Sequence, residues 1–473
     1  MILRATVDAC IHFDEAGLPT AFIREVEKVL TYANPKFFRT QAIGRSTWNI
    51  PRTMTTFDHH MSTMSLYRGT ASRLVEIAAK HGIDVEWTDN RVSVPHAFKS
   101  KIKPYEYQGL AVDAAVKAGQ GILTGPCASG KSVIGLLMAE KFAQRTLVCV
   151  HNTVLLNQWI EKVHDFYGIK AGIIGGGKRE ITPISIGLCQ TLCRGVDDLK
   201  DKFGLVICDE VHHASCNTHQ TVFNWFPAKY KVGISADEKR ADGLEFLIYD
   251  TFGEVLYRIN NPQLDAADRL MPVTIRIVET DYDDPLYREA QGANKDSVGM
   301  LTDLVADPER NALIMSLIMK EFDPTVRRSM LLLTGRVSAC EYWHRELTAR
   351  GMKVGMLIGA QHSGGKKAQE ETRRGLISGE IDIAISNSLG EEGLDAPELA
   401  RVFCTVPLSK GSMRRMNQMI GRLKRPAAGK TDAVFYYLWD RKLYAWVDRN
   451  GRVRESDMPK KISKAFDDTV EIQ

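Results

Sequence analysis

Short apolar runs that alternate with segments of helical spacing most constrain the fold of this chain. From about Gly121 the first set reads "GILTG", "KSVIGLLMAEKFA", "RTLVCV", "TVLLNQWIEKVHDFY", "KAGIIGG", "ISIGLC" and "FGLVICDE". A second set begins at "SMLLLTG" and ends at "DAVFYYLW". Short strands alternating with helices of this length predict parallel sheets covered on both faces. We therefore expect two α/β domains in tandem, joined by the turn-rich segment 260–272.

The first hundred residues lack this rhythm and predict a small α+β unit. Helical spacing occurs near residues 18–32 and again over residues 71–82. Between them lies a basic and aromatic stretch. The predicted domains are residues 1–98, 99–262 and 263–473.

The segment "GPCASGKS", residues 125–132, fits the phosphate-loop pattern G-x-x-x-x-G-K-[ST]. A strand-like run precedes it and a helical run follows it, which is the setting that this loop requires. In loops of this pattern the backbone N–H groups cradle phosphates, so we expect Lys131 to reach the outer phosphates and Ser132 to hold Mg²⁺. With Gly125 and Gly130, these residues predict a nucleotide site.

A second candidate is "LVICDEVHH", an apolar strand that ends in Asp209 and Glu210. Adjacent carboxylates at such an edge are costly to desolvate unless they meet a cation or a reacting group. Asp209 can hold Mg²⁺ through water, and Glu210 can polarise the attacking water. His212 and His213 do not predict a metal centre, because no third ligand follows at a suitable spacing.

The ordered motifs resemble those of superfamily 2 helicases and translocases. They are the phosphate loop, "DEVHH", "GISADEKRADG" (233–243), "SNSLGEEGLDAPEL" (386–399) and "QMIGRLKR" (418–425). The resemblance covers roughly residues 105–439. It implies two tandem RecA-like domains and an ATP hydrolase coupled to movement along nucleic acid, the ATP site closing between the domains.

The resemblance also assigns site residues. Gln108 would read the adenine edge, His212 would couple hydrolysis to the third motif, and the arginines of Q-x-x-G-R-x-x-R would act as fingers on the γ-phosphate. The nucleotide and Mg²⁺ set is Gln108, Gly125, Gly130, Lys131, Ser132, Asp209, Gly393 and Asp395, and the hydrolytic set is Lys131, Asp209, Glu210, His212, Gln418, Arg422 and Arg425. In the third motif, Asp237 and Glu238 replace the usual Thr and Pro. This motif links the ATP state to contact with the nucleic-acid strand, so the change bears on that coupling rather than on hydrolysis itself.

The charge distribution favours a polyanion partner. The net charge is only +4, but residues 34–73 and 410–430 are strongly basic. The alternative for each cluster is a solvated basic face. No apolar run approaches the roughly 20 residues needed to span a bilayer, and no secretory leader is evident. The nine scattered cysteines indicate reduced, buried thiols. We expect a cytoplasmic protein of a bacterial cell or phage-infected host, without a membrane partner.

Within the superfamily, the chain resembles the branch-migration and fork-regression helicases of tailed phages. This implies DNA as partner, branched or containing duplex, together with other recombination or replication proteins and a monomeric state. Aromatic and basic residues of the N-terminal unit can grip duplex or stack on unpaired bases, or can instead build its small core. The DNA-binding candidates are Phe37, Arg39, Trp48, Arg52 and Arg68 there, and, by the resemblance alone, Gln190 and Thr191.

Three other functions remain open on the sequence. One is an RNA helicase, and another is the motor subunit of a restriction or nuclease complex. The third is an ATP-gated clamp that binds nucleic acid without unwinding it.

Overall fold

The computed structural model describes the chain except residues 127, 196, 214–216, 237–241, 268–269, 285–296, 327, 359–365, 388–395, 408–411, 448–452, 456–457, 466–468 and 473. It describes the backbone alone at residues 213, 217–219, 265, 297–298, 366, 412–415, 444–447, 453–455 and 465. The chain divides into two compact units, Met1–Gln263 and Leu264–Gln473. Within the described part, no helix is long and apolar enough to cross a membrane.

The first unit begins with an α+β segment and continues with alternating strands and helices. Its strands are β1 (Ile2–Val7), β2 (Cys10–Asp14), β3 (Thr31–Ala33), β4 (Thr53–Thr55), β5 (Phe57–His60), β6 (Thr63–Tyr67), β7 (Asp84–Asp89), β8 (Gln120–Thr124), β9 (Thr146–Val150), β10 (Gly172–Gly175), β11 (Lys178–Arg179), β12 (Ile184–Leu188), β13 (Leu205–Asp209), β14 (Tyr230–Ser235) and β15 (Val255–Arg258). Its helices are α1 (Thr20–Val29), α2 (Pro35–Ala42), α3 (Ala71–Lys80), α4 (Glu106–Ala118), α5 (Lys131–Phe142), α6 (Thr153–Tyr167), α7 (Cys189–Leu192), α8 (Asn217–Trp225) and α9 (Glu245–Phe252), and α10 (Asn261–Asp265) spans the division between the units.

The N-terminal segment has its own five-stranded sheet, in the order β5-β6-β2-β1-β7. Buried residues alternate along β1 and β2, so one face of the sheet turns inward. The helices α1 and α3 cover that face with Phe22, Val26 and Leu74, which belong to one apolar cluster. Both helices occur where the sequence predicts them. The three-domain division itself stays a prediction.

An eight-stranded sheet follows, in the order β11-β10-β12-β9-β13-β14-β8-β15. The pairs from β10 to β15 are parallel, and the short β11 is antiparallel to β10. Every residue of β9, β12 and β13 is buried, which requires layers on both faces. The predicted α/β pattern is therefore confirmed for this part of the chain.

The N-terminal sheet is fixed to this second sheet through α9. A turn of 3₁₀ helix, Arg68–Thr70, lies against α9. Gly69 approaches α9 so closely that a Cβ atom would overlap the carbonyl oxygen of Tyr249. Asp250, on the same helix, is 1% exposed and accepts hydrogen bonds from Tyr32 and Thr56. The N-terminal segment and the first α/β sheet thus form one body.

The second unit is another parallel α/β layer structure. Its strands are β16 (Thr274–Thr280), β17 (Ser329–Leu333), β18 (Val354–Leu357), β19 (Ile383–Ser386), β20 (Leu399–Cys404), β21 (Val434–Asp440), β22 (Ala445–Val447), β23 (Val453–Glu455) and β24 (Thr469–Ile472), and its helices are α11 (Ser297–Ala306), α12 (Pro308–Glu321), α13 (Val337–Thr348), α14 (Lys366–Ser378), α15 (Ser412–Leu423) and α16 (Met458–Ala465). The main sheet has the order β18-β19-β17-β20-β21-β16-β24, with all its pairs parallel. Two apolar clusters pack on its strands.

The segment 260–272, predicted as the linker between the two α/β domains, includes a short helix that the sequence did not predict. It contains α10, and Leu264 within it is fully buried. The side chain of Asn260 accepts a hydrogen bond from the backbone N–H of Gln263 at 3.1 Å. Such a side-chain cap starts a helix even in a stretch rich in turn-forming residues.

Candidate functional site

Three adjacent strands place the phosphate loop, the predicted carboxylates and the third motif at one edge of the eight-stranded sheet. The strands β13, β14 and β8 are neighbours in that order and run parallel. Carboxyl ends of parallel strands meet at one edge, where α/β sheets bind ligands. The phosphate loop follows β8, Asp209 ends β13 and Ser235 ends β14. The loop and the third motif touch, because Gly125 N–H donates to the Ser235 carbonyl oxygen at 3.1 Å.

The phosphate loop has a shape that depends on glycine. Gly130 has a φ of 72° and caps the N-terminus of α5. A Cβ at Gly130 would lie 2.6 Å from Gln108 Nε2. The Lys131 ammonium donates to the carbonyl oxygens of Gly125 at 3.0 Å and Pro126 at 3.2 Å. A helix N-terminus beside a lysine is suited to bind phosphate.

Gln108 is packed against this loop. Its side chain is 3% exposed. Its Oε1 accepts from the Tyr105 backbone N–H at 3.1 Å, and its Nε2 donates to the Ser129 carbonyl oxygen at 3.3 Å. Gln108, the residue predicted to read the adenine, therefore lies on the first turn of α4 and contacts the phosphate loop.

The carboxylate of Asp209 is buried beside Glu210. Asp209 is 7% exposed, and its Oδ1 accepts from the Glu210 backbone N–H at 3.0 Å. Burial and the charge of Glu210 raise the pKa of Asp209, and a hydrogen bond from Trp159 Nε1 to Oδ2, at 2.8 Å, opposes that shift. The donor that opposes the raised pKa of this carboxylate, Trp159, is one that sequence reasoning did not assign.

Glu210, His212 and Ser235 form a second cluster at the same edge. Glu210 has a φ of 52°, a left-handed conformation that is uncommon for a residue with a side chain. Its Oε2 lies 3.2 Å from His212 Nδ1 and accepts from Ser235 Oγ at 3.3 Å. His212 Nδ1 also lies 3.0 Å from Ser235 Oγ. The predicted water-activating carboxylate is thus directly connected to the third motif.

Sequence reasoning missed two residues of α6 in this site. Trp159 contacts Asp209, and Lys162 Nζ donates to Ser132 Oγ at 3.0 Å. The two residues are three apart on one helix, so they share a face. That spacing, in a helix that follows the neighbouring strand β9, was the available signal.

The predicted residues of the second unit fall partly outside the described chain. Gly393 and Asp395 lie outside the described residues, as do Asp237 and Glu238 of the first unit. Gln418 and Arg422 are four residues apart on α15 and share a face. Arg425 follows the helix end, where Lys430 Nζ donates to the carbonyl oxygens of Leu423 at 2.7 Å and Arg425 at 2.9 Å. This lysine fixes the segment that carries the last arginine.

Most nucleic-acid candidates lie on the surface. Arg39, Arg52, Gln190 and Thr191 are exposed and Phe37 is half-buried, while Trp48 is 91% exposed. Gln190 Nε2 donates to the His151 carbonyl oxygen at 2.9 Å. The N-terminal apolar cluster, whose residues are all described, includes neither Phe37 nor Trp48.

The prediction that Arg68 contacts DNA is wrong. Arg68 is 3% exposed, and its guanidinium donates to Gln120 Oε1 and to the carbonyl oxygens of Asp8 at 3.1 Å and Ala228 at 2.7 Å. A buried cation must be satisfied by such acceptors. Arg68 therefore joins the N-terminal segment to the first α/β sheet, and no phosphate can reach it.

Known proteins share these features. The family described as type III restriction enzyme, res subunit, matches residues 101–240. Probable helicase D10 of Escherichia phage T5 is 30% identical over 367 residues, which cover 77% of this chain and 77% of that protein. The DNA 3'-5' translocase XPB2 of Sulfurisphaera tokodaii is 23% identical over 351 residues, 69% of this chain and 80% of the relative.

A solved structure shares the fold. A fragment assigned to the HsdR subunit of a type I restriction enzyme from Vibrio vulnificus YJ016 covers 71% of this chain and 65% of its own, with 17% identity and a TM-score of 0.51. The tandem parallel sheets are therefore RecA-like. With the ordered motifs and the 30% identity to a phage helicase, the chain belongs to the superfamily 2 helicases and is an ATP-driven DNA helicase.

Proposed function

We propose that this helicase is a translocase that remodels branched DNA, by branch migration or fork regression, in recombination or repair. The observation that carries the proposal is an exposed basic arm built onto the ATPase unit. The basic arm is residues 34–52, which connect β3 to β4 and include α2. We also propose that it acts as a monomer in a bacterial or phage-infected cytoplasm, alongside recombination or replication proteins.

The basic arm is suited to a phosphate backbone. Between residues 34 and 57 the chain carries Lys36, Arg39, Arg45 and Arg52 and no acidic residue. No residue of α2 is buried, so this helix is not held by an apolar face. Trp48 and Phe38 are exposed beside these cations, at 91% and 41%. Cations provide backbone contacts, and exposed aromatic rings can stack on bases unpaired at a branch.

The first unit also has the groups for hydrolysis. The hydroxyl of Ser132 and the carboxylate of Asp209 are hard oxygen donors, the type that Mg²⁺ prefers. When bound, Mg²⁺ neutralises phosphate charge. Lys131 contacts the outer phosphates, and Glu210 accepts the proton of the attacking water while Ser235 and His212 orient its carboxylate. We propose that Arg422 and Arg425 stabilise the charge that develops on the γ-phosphate, with Gln418, Gly393 and Asp395 beside the nucleotide.

ATP hydrolysis by the full chain tests this function. We expect strong stimulation by DNA, greatest with a four-way junction, in a comparison with single strands, duplex, RNA and no polynucleotide. Lys131→Ala should remove the stimulated activity, since the phosphates lose their cation. Stimulation by RNA alone would replace the proposal with an RNA helicase. If the chain bound the junction in an ATP-dependent way but did not move it, the chain would be an ATP-gated clamp rather than a translocase.

Trp159→Phe should raise the Mg²⁺ requirement. The substitution removes the donor that opposes the raised pKa of Asp209, so the carboxylate is less available to a cation. Hydrogen bonds to charged groups contribute about 1.5–3 kcal/mol, and we expect the half-maximal Mg²⁺ concentration for hydrolysis to rise about tenfold. Trp225→Phe, at a tryptophan that is 52% exposed, is the matched control. An unchanged Mg²⁺ titration would reject this role of Trp159.

A further inference from the structure

The base of the basic arm lies directly on the end of the third motif. Tyr32, next to the arm in β3, stacks on Phe246 with ring centroids 4.0 Å apart and planes at 18°. Pro35, the first residue of α2, lies against Gly243, where a Cβ would be 3.3 Å from Pro35 Cγ. Gly243 closes the motif "SADEKRADG", and Phe246 lies in α9, which follows at once.

Both strands at the base of the arm are bound to the same helix. Tyr32, in β3, donates to Asp250 Oδ2 at 2.9 Å, and Thr56, just after β4, donates to it at 2.5 Å. Arg73 pairs with Asp250 as well. Within the arm, Asn34 Nδ2 donates to the Pro51 carbonyl oxygen at 2.8 Å, which ties its two ends together. The base of the exposed arm is therefore attached to α9 by side-chain contacts to Asp250.

The other end of the third motif contacts the hydrolytic cluster. Ser235 donates to Glu210 Oε2 at 3.3 Å and lies 3.0 Å from His212. The helix α9 is in contact with this cluster through described residues, because it packs on the 3₁₀ turn Val211–His213, which carries His212, and its Phe252 shares an apolar cluster with Val211. The described contacts therefore lead from the base of the arm through α9 to His212, which lies 3.2 Å from Glu210.

We infer that the basic arm is a DNA sensor that switches hydrolysis on through the Tyr32–Phe246 stack. The inference rests on the proposed function, since it requires DNA on the arm. Phosphates bound by the arm move its base, α9 follows, and His212, on the turn that α9 contacts, changes how it orients Glu210. We assign Tyr32 and Phe246 the role of positioning residues, which act through their contact with each other.

Two sets of variants of the full chain separate sensing from binding. Phe246→Leu should lower the stimulation of hydrolysis at saturating four-way junction about tenfold, which is a typical coupling effect, while the junction Kd and the DNA-free rate stay unchanged. Phe246→Tyr keeps the ring and should restore stimulation. Arg39→Ala with Arg52→Ala should instead weaken junction binding and lower its salt slope by about 2, one for each phosphate contact. Arg4→Ala with Arg24→Ala, two exposed cations of the N-terminal sheet and its helix, is the matched control.

Amide hydrogen exchange of the wild-type chain gives a reading that does not depend on how any variant folds. Junction binding to the wild-type chain should change exchange in α9, and the Arg39/Arg52 double variant should not show this change at concentrations where the wild type is saturated. Unchanged exchange in α9, or full stimulation of Phe246→Leu, would overturn the inference and leave the proposed function intact. A wild-type chain that no DNA stimulates would refute the proposed function, and the sensor with it.

Discussion

Glu210→Gln is expected to lower the rate of ATP hydrolysis by about 10²–10⁴, the usual contribution of a general base, while ATP still binds. Glutamine keeps the shape of the side chain and can still bond to Ser235 and His212, but it cannot accept the proton of the attacking water. The left-handed backbone of Glu210 and these two partners fix where the carboxylate points. The substitution should therefore lower kcat and leave the affinity for ATP largely unchanged.

Nucleotide binding should survive this substitution for an electrostatic reason. The charge of Glu210 is one cause of the raised pKa of Asp209. Removing that charge favours the ionised form of Asp209, which is the form that holds a cation. The measurements are steady-state kcat and the affinity for a fluorescent ATP analogue. Glu106→Gln, at an exposed acid in the first turn of α4, is the matched control. Turnover above about a tenth of the wild-type rate would reject the assigned role.

Replacing the arginines that follow Gln418 should have the largest effect of all. An arginine finger contributes about 10³–10⁵ in rate because it stabilises charge that develops only in the transition state. We expect a loss of this order in kcat for Arg422→Ala, Arg425→Ala or both, with little change in the affinity for ATP. Lysine should not rescue the loss, since it lacks the planar fork of donors.

The chain offers a close control for this experiment. Lys424 lies between the two arginines in sequence, and Lys424→Ala removes the same charge from the same segment. Lys430 holds the end of α15 through the carbonyl oxygens of Leu423 and Arg425, so the backbone should stay in place in all three variants. If both arginine variants kept hydrolysis within about tenfold of the Lys424→Ala rate, neither would be a finger.

Much of the fold followed from local patterns. The apolar runs became the buried parallel strands β8, β9, β12 and β13, because a strand covered on both faces needs a continuous apolar sequence. The helices α1 and α3 also appeared where predicted. The helix α10 was not predicted, because a single side-chain cap at Asn260 outweighed the turn-forming composition around it.

The candidate site was predictable where its chemistry is contiguous in sequence. The spacing of residues 125–132 by itself specifies a loop that leads from a strand into a helix N-terminus, and the neighbouring pair Asp209 and Glu210 marks the end of a buried strand. The interactions of Trp159 and Lys162 were missed, because each needs a partner far along the chain, on another strand or helix.

By itself, the sequence determined the phosphate loop, the alternating strands and helices and the order of the motifs, since each depends on residues close together in the chain. Tertiary structure alone decided which basic residues face solvent. The local sequence does not distinguish Arg68 from Arg52. Arg68 donates hydrogen bonds to Gln120 and Ala228 and is buried, whereas Arg52 is exposed on the basic arm. The contact of Tyr32 with Phe246 likewise arises only when the N-terminal sheet packs on α9. Burial depends on contacts with residues that are distant in the sequence, so the local spacing of residues does not predict it.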